Sequence, residues 1–308
     1  MYNVTIFGID ITLKPIAFSI SIGDGHWDIY WYGIIIAVGF MLALIYGSVN
    51  AKRFGIDKDR MLDVVLVATP VAILCARAYY VIFDGEKLQS FGDFFGFGES
   101  SGFSGIAIYG GVIGAFVSGF VMCKIRKVKF TDMFDLAALG FLIGQGIGRW
   151  GNFVNQEAFG SLTKGAGMMS SKVINYISLY PENFGLEGKS YYEISSYITE
   201  NNLKVHPCFF YESLWCIAGF VLIHFLSKKR KFSGETFLMY CAWYGFGRGF
   251  IEILRTDSLM LGSIKVSCLL AFLLCIASVT AIIVIRKKLK PEAEYIEQFA
   301  DSAEEENV

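Results

Sequence analysis

Residues 148–160 read GRWGNFVNQEAFG, so that a cation, an anion and several carboxamides directly follow a long apolar run. Ionisable groups at membrane depth are costly, and where they occur they usually mark a functional site. Whether this stretch lies in a membrane depends on the apolar runs around it. These runs therefore decide the fold, and with it the kind of chemistry that residues 148–160 can carry out.

The composition of the chain is that of a membrane protein rather than a soluble one. Of the 308 residues, 54% are hydrophobic and only 18% are charged, whereas soluble domains carry about 25% charged residues. The net charge of -1 gives no indication of a nucleic-acid partner. The seven cysteines form no CxxC pair and the three histidines have no metal-binding spacing, so neither a metal site nor a redox pair is indicated.

Seven apolar segments are long enough to cross the hydrocarbon core of a bilayer as helices, which takes about 20 residues. The fourth is weak because it contains several glycines, but small residues allow membrane helices to pack closely. The predicted fold is therefore an all-α polytopic membrane protein with about seven transmembrane helices. Their approximate bounds are 30–50, 61–83, 106–123, 132–150, 207–227, 235–254 and 264–285.

Lysine and arginine residues predict the orientation of these helices. They cluster in the connections 52–60, 124–129 and 228–231 and after the last helix at 286–290. Because basic residues favour the cytoplasmic side, the N-terminus is predicted outside and the C-terminus in the cytoplasm. Residues 1–290 then form a single membrane-embedded domain that carries 161–205 as a small extracytoplasmic head. The acidic segment 291–308 is predicted to be a disordered cytoplasmic tail.

This orientation brings most of the unusual polar residues to the outer face. Three of them are arginines, whose planar guanidinium groups suit phosphate oxygens. The alternative is that each arginine simply extends to the lipid head groups, but three arginines beside carboxylates and carboxamides favour a site. The residues placed near the outer face are Arg77, Tyr80, Tyr109, Gly110, Gly111, Arg149, His206, Tyr211, Glu212, Arg248 and Glu252.

The carboxylates and carboxamides of this region have two interpretations each. Glu157, Glu212 and Glu252 can balance buried arginines, or one of them can orient a reacting group. For Glu252 pairing is favoured, because it follows an arginine by four residues on one helix face. The amides of Asn152 and Asn155 can bind ester or glycerol oxygens, or they can satisfy backbone groups at a helix end.

Two further side chains, each at the start of a predicted helix, also have a structural and a functional interpretation. Tyr32 either belongs to the aromatic belt at the membrane interface or points its hydroxyl into the bundle. His206 is either a base or a hydrogen-bond donor at the helix entry, and the structural role is favoured.

These motifs resemble, in order along the chain, those of the prolipoprotein diacylglyceryl transferase family. Residues 148–160 resemble the signature of that family, and the resemblance covers about residues 15–285. The shorter matches are Trp31-Tyr32-Gly33, Arg77 with Tyr80, His206-Pro207 with Tyr211-Glu212, and Tyr244-Gly245-Phe246-Gly247-Arg248 with Glu252 and Arg255.

The resemblance implies a reaction, its substrates and its location. A diacylglyceryl group passes from phosphatidylglycerol to the thiol of the lipobox cysteine in a preprolipoprotein signal peptide, giving a thioether and glycerol phosphate. The enzyme crosses the bacterial cytoplasmic (inner) membrane several times, with its active site towards the extracytoplasmic side. Neither a metal nor an organic cofactor is implied.

For this reaction Arg149 and Arg248 are the expected phosphate clamp, and Tyr109 and Glu157 are the other catalytic candidates. Tyr109 departs from the family, which often has a histidine there. A free tyrosine is a poor base at neutral pH, so hydrogen bonding to substrate is the simpler interpretation of that position. The expected substrate-binding residues are Tyr32, Arg77, Gly110, Gly111, Arg149, Asn152, Asn155, Gly160, His206, Tyr211, Tyr244 and Glu252.

A transporter of an anionic substrate is the alternative from a different class, because transporters also combine many spans, intramembrane charges and glycine-broken helices. They usually place the charged site near the bilayer midplane and show repeated halves, and the sequence indicates neither. An intramembrane hydrolase would need a paired nucleophile and base, and the chain has no GxSxG string.

Overall fold

The computed structural model describes residues 2–22, 25–84, 94, 107–256, 260–261 and 264–289, and most of these are helical. In chain order the main helices are α1 (Trp31–Asn50), α2 (Lys58–Asp84), α3 (Ile108–Ile125), α4 (Phe130–Asn155), α5 (Ser171–Leu179), α6 (Tyr191–Glu200), α7 (Cys208–Ser227), α8 (Glu235–Leu254) and α9 (Val266–Lys288). The strands are β1 (Tyr2–Ile6), β2 (Ile9–Leu13), β3 (Ile16–Ile22), β4 (Gly25–Tyr30), β5 (Leu162–Thr163), β6 (Met168–Ser170), β7 (Lys204–Val205), β8 (Met260–Leu261) and β9 (Ile264–Lys265).

The all-α polytopic class is confirmed. Among the described residues, six helices are long and apolar enough to cross a membrane, namely α1, α2, α3, α4, α7 and α9. The remaining predicted span is also helical, as the 20-residue α8, but its polar and charged residues make it less apolar than the other six. The total of seven spans and the orientation of the termini stay predictions.

The chain divides into two compact units, residues 1–44 with 138–308 and residues 45–137. In the second unit, α2 and α3 approach closely because α3 carries glycines where they meet. A Cβ atom at Gly114 would lie 2.6 Å from the Cβ of Cys75, and one at Gly110 would run into the Cys75 carbonyl and the Tyr79 side chain. Backbones can pack this closely only where side chains are absent.

Paired tryptophans set the packing of α7 against α8 in the first unit. The indole rings of Trp215 and Trp243 stack with their centroids 4.2 Å apart. Each indole N–H donates to the backbone carbonyl of the other tryptophan, both at 2.9 Å. Gly219 and Gly247 make room for the rings, since a Cβ at either position would overlap an indole. This contact fixes which residues of the two helices face each other.

The segment predicted to be a head, residues 161–205, folds together with the N-terminus. Its strands β5, β6 and β7 join β1 and β2 in one sheet of order β2-β1-β6-β7-β5, and β1 pairs antiparallel with β6. Helices α5 and α6 complete a hydrophobic core whose most buried members include Val4, Met168, Ile177 and Val205. The sequence analysis assigned no strand here. The extracytoplasmic side of this segment and the single-domain assignment of 1–290 stay predictions, and the tail 291–308 lies outside the described residues.

Helix α6 begins with a capping box. The Ser190 hydroxyl accepts a hydrogen bond from the Glu193 N–H, and the Glu193 carboxylate accepts one from the Ser190 N–H at 2.7 Å. These bonds satisfy backbone donors that a helix start leaves open. Hydrogen bonds from the Ser190 N–H and hydroxyl also hold the pKa of the Glu193 carboxyl below its ordinary value.

Candidate active site

A single buried carboxylate joins the two arginines predicted to form the phosphate clamp. Glu212, in the second turn of α7, has only 3% of its side chain exposed. Its Oε1 lies 2.6 Å from Nη2 of Arg149 on α4, and its Oε2 lies 3.1 Å from Nη1 of Arg248 on α8. The Tyr244 hydroxyl donates a further hydrogen bond to Oε1 at 3.2 Å. The two guanidinium groups are therefore held in one cluster by the same carboxylate.

A second buried carboxylate extends this cluster along α8. Glu252 pairs with Nη2 of Arg248 at 2.6 Å, in the four-residue spacing noted in the sequence, and its Oε2 lies 4.0 Å from Nε of Arg255. We call the five residues Arg149, Glu212, Arg248, Glu252 and Arg255 the arginine cluster. It contains three positive and two negative side chains, and so carries a net charge of +1.

In the arginine cluster the negatively charged side chains are more deeply buried than the positively charged ones. Both carboxylates have 3% of their side chains exposed, whereas Arg149, Arg248 and Arg255 keep 22%, 20% and 14% exposed. The arginines are thus held by buried glutamates, while part of each arginine side chain stays exposed. Guanidinium groups in this state can bind an anion without first giving up their protein partners, because each has five donors in a planar fork.

The signature residues after Arg149 support it through an amide. Nη1 of Arg149 donates to Oδ1 of Asn152 at 3.4 Å, and Nδ2 of Asn152 donates to Oε1 of Glu157 at 2.9 Å. Glu157 therefore reaches the arginine through the amide. The Tyr32 ring lies against Gly151, where a Cβ would come within 2.5 Å of Cδ2 of the ring. The backbone carbonyl of Asn155 accepts a hydrogen bond from Nζ of Lys172 at 2.8 Å.

A tight turn after α4 brings Gly160 into contact with two other elements. Gln156 and Ala158 adopt positive φ angles of 52° and 56°, which is uncommon for residues other than glycine and marks a constrained turn. Gly160 then donates its N–H to the His206 carbonyl at 2.9 Å. A Cβ at Gly160 would lie 2.8 Å from the Leu254 carbonyl and 2.9 Å from the Cβ of His206. The absence of a side chain at this position is therefore required by the packing that joins the ends of α4 and α8.

His206 and Tyr211 contact each other. Nδ1 of His206 lies 3.3 Å from the Tyr211 hydroxyl, a distance compatible with a hydrogen bond. This contact joins His206, just before α7, to Tyr211, which directly precedes Glu212 in the helix. It agrees with a structural interpretation of His206, and their predicted role in substrate binding stays a prediction.

Four of the predicted site residues belong to the unit 45–137. Arg77 is buried, its Nε donates to the Phe94 carbonyl at 3.2 Å, and its guanidinium lies over the Tyr80 ring. Tyr109 is 69% exposed, and its ring centroid is 6.4 Å from that of Tyr79. The glycines that follow it, Gly110 and Gly111, face α2, where a Cβ would meet Cys75 and Ala76. Their contributions to substrate binding remain predictions.

The structure places three side chains in or beside the arginine cluster that the sequence analysis did not list as catalytic or substrate-binding residues. Glu212 was considered only as one of several possible partners, and Arg255 only as part of a motif. Lys265 was not considered, yet its Nζ donates to the carbonyls of Glu252, at 3.1 Å, and Ile253, at 3.0 Å, and so fixes the end of α8. The signal available in the sequence was the acid inside an apolar helix, which requires a cationic partner.

Fold and site together define a polytopic membrane protein with an open-faced, positively charged cluster suited to an anionic head group. The chain belongs to the prolipoprotein diacylglyceryl transferase family, whose model matches residues 15–284. It is 39% identical to a phosphatidylglycerol–prolipoprotein diacylglyceryl transferase of Bacillus cytotoxicus over 280 residues, which cover 91% of this chain and 96% of the relative. It is 40% identical to the enzymes of that name from Limosilactobacillus reuteri, with 92% and 95% covered, and Clostridium perfringens, with 89% and 95% covered. The resemblance inferred from the motifs is confirmed.

Proposed function

We propose that this protein transfers the diacylglyceryl group of phosphatidylglycerol to the lipobox cysteine of preprolipoproteins. Family membership and the names of the relatives support the reaction class and both substrates. The observation that carries the mechanism is that Arg149 and Arg248 share the carboxylate of Glu212 while their guanidinium groups stay partly exposed.

The reaction balances as a displacement at carbon. The cysteine sulfur attacks the carbon of the diacylglyceryl group that bears the phosphate. A C–S bond forms, and the bond between that carbon and the phosphate oxygen breaks. The phosphate oxygen leaves with the electron pair as part of glycerol phosphate, and the thiol proton is released. The phosphate group therefore changes from a monoanion to a dianion as the bond breaks.

The arginine cluster matches this change in charge. Its net charge of +1 complements the monoanionic phosphodiester, and the open guanidinium groups can strengthen their hydrogen bonds as the second negative charge develops. The same positive potential favours the thiolate form of the incoming cysteine, which is the better nucleophile. Binding one end of the lipid also positions the reacting carbon for an in-line attack.

The predicted orientation places this chemistry at the outer face of the bacterial cytoplasmic membrane. On this proposal residues 161–205 and the N-terminal strands stand beside the site, because Phe153 and Phe159 of the signature and Phe209 of α7 are part of their shared core. They are therefore the segment expected to meet the signal peptide of the lipoprotein.

A direct test uses the purified protein in phosphatidylcholine vesicles that contain phosphatidylglycerol, with a lipobox peptide as acceptor. We expect mass spectrometry to detect a diacylglyceryl group on the cysteine of the peptide, and glycerol phosphate to be released in equal amount. A peptide with serine in place of the cysteine, and vesicles without phosphatidylglycerol, are the controls. Movement of lipid or of a soluble anion across the vesicle with no covalent product would instead favour the transporter.

A further inference from the structure

On two helices of the arginine cluster, a further polar side chain lies one turn towards the opposite end of the helix. On α4, Gln145 precedes Arg149 by four residues, and on α8, Tyr240 precedes Tyr244 by four, so that each lies one turn along the same helix face. These two side chains contact each other, because Nε2 of Gln145 donates to the Tyr240 hydroxyl at 2.9 Å. The rings of Tyr240 and Tyr244 stack with centroids 5.8 Å apart, which links the two levels.

The pair Gln145 and Tyr240 has one hydrogen-bond acceptor and one donor without a partner among the described residues. Oε1 of Gln145 is buried and has no hydrogen-bond partner among the described residues. The Tyr240 hydroxyl accepts from Gln145, and within the described part of the chain its own proton has no acceptor. A buried amide oxygen left without a partner is costly, which indicates that something else completes it.

Water can satisfy both atoms, and among the groups of a lipid substrate an alcohol can. A hydroxyl can donate to Oε1 of Gln145 and accept from the Tyr240 O–H at the same time. A phosphate oxygen has no proton to donate, and an ammonium group has no lone pair with which to accept. An ammonium would also add positive charge beside a cluster whose net charge is already +1.

We propose that Gln145 and Tyr240 form the subsite for a hydroxyl of the glycerol headgroup of phosphatidylglycerol, and so select that lipid over others. The inference rests on the proposed function, which places the phosphate on the arginine cluster. One helical turn, about 5.4 Å, separates the two levels, and this matches the reach of a three-carbon headgroup beyond its phosphate. The headgroup then lies on the leaving-group side, where it departs as glycerol phosphate.

The test compares two donor lipids that differ only in the headgroup hydroxyls, phosphatidylglycerol and phosphatidylpropanol, each in phosphatidylcholine vesicles with the lipobox peptide. We expect the wild-type protein to prefer phosphatidylglycerol in kcat/KM by roughly 10- to 100-fold, as expected for a buried hydrogen-bonding pair that the analogue leaves unsatisfied. Gln145→Leu should lower this preference about tenfold, and Tyr240→Phe, which keeps the ring stacked on Tyr244, should lower it in the same direction.

Thr236→Val is the matched control. Thr236 is also on α8, and its hydroxyl is buried without a partner among the described residues, but it lies one turn before Tyr240 at the very start of the helix. This variant should keep the wild-type preference. The subsite is wrong if the wild-type protein uses both lipids equally, as it would if only water completes Gln145, or if the Gln145 and Tyr240 variants slow both lipids by the same factor. Absence of transfer from either lipid in the wild-type protein would instead overturn the proposed function itself.

Discussion

Two buried carboxylates in the same unit of this protein are surrounded by arginine in different ways. Glu235, at the start of α8, is fully buried and pairs with Arg286 of α9, while its second oxygen accepts the Lys231 N–H. One acid there meets one arginine. Glu212 meets two arginines, and with Glu252 and Arg255 the arginine cluster keeps an excess positive charge. The first arrangement is a charge-neutral ion pair that joins two helices, whereas the second retains the capacity to bind an anion.

Exchange of arginine for lysine should separate the two regions most strongly. We expect Arg149→Lys and Arg248→Lys each to lower the rate of diacylglyceryl transfer by about two to three orders of magnitude, because a point charge cannot replace a bidentate fork on a phosphate. Arg286→Lys is the control in the balanced pair and should stay within a few-fold of wild type. The measurement is kcat/KM with phosphatidylglycerol vesicles. Near-normal turnover in either site variant would rule out the clamp.

Removal of the negative charge should distinguish the two carboxylates by stability. Glu212→Gln leaves Arg149 without its paired carboxylate and Arg248 with Glu252 alone, although both arginines are about four-fifths buried. The expected loss is on the order of 3 kcal/mol in free energy of unfolding. Glu235→Gln should destabilise less, because Arg286 has 39% of its side chain exposed and can turn to water. Thermal unfolding in detergent compares the two variants. An equal or larger effect at Glu235 would contradict the comparison.

Tyr109→Phe is expected to keep substantial activity, within about tenfold of wild type. This prediction follows from treating Tyr109 as a hydrogen-bonding residue rather than as the base, and the arginine cluster as the group that favours the thiolate. The initial rate of peptide lipidation is the measurement, with Tyr79→Phe, at the neighbouring ring, as the control. An inactive Tyr109→Phe variant with a normal Tyr79→Phe would show that the hydroxyl takes a direct part.

The smallest expected effect concerns the capping box of α6, which is not part of the arginine cluster. The folded-state pKa of Glu193 is lowered, mainly by the Ser190 N–H and then by the Ser190 hydroxyl, so its stabilising contribution is present above its ordinary value of 4.5 and is lost as the pH falls through the lowered value. Ser190→Ala should therefore reduce stability slightly at pH 7 and flatten its dependence on pH below 4.5. Melting curves between pH 3 and 7 test this, with Glu187→Gln as a control.

Hydropathy and motif order were enough to predict the long helices and the family, because both signals are local in sequence. The bridging role of Glu212 was not predictable, since it depends on which faces of α4, α7 and α8 meet. The Trp215–Trp243 contact, which orients α7 against α8, is not visible in the sequence pattern. The sheet was missed because β5 and β7 have two residues each and β6 has three, too short for a period. Its other strands, β1 and β2, lie more than a hundred residues away in the chain.

The central claim is that Arg149 and Arg248 act as one clamp on one phosphate, joined by Glu212. The most direct measurement is the transfer rate of the double variant Arg149→Lys/Arg248→Lys beside the two single variants and the wild type. Residues that act as a unit show strongly non-additive losses, so the double variant should be hardly slower than either single one. A loss equal to the product of the two single losses would mean that the arginines act independently, and would contradict the account.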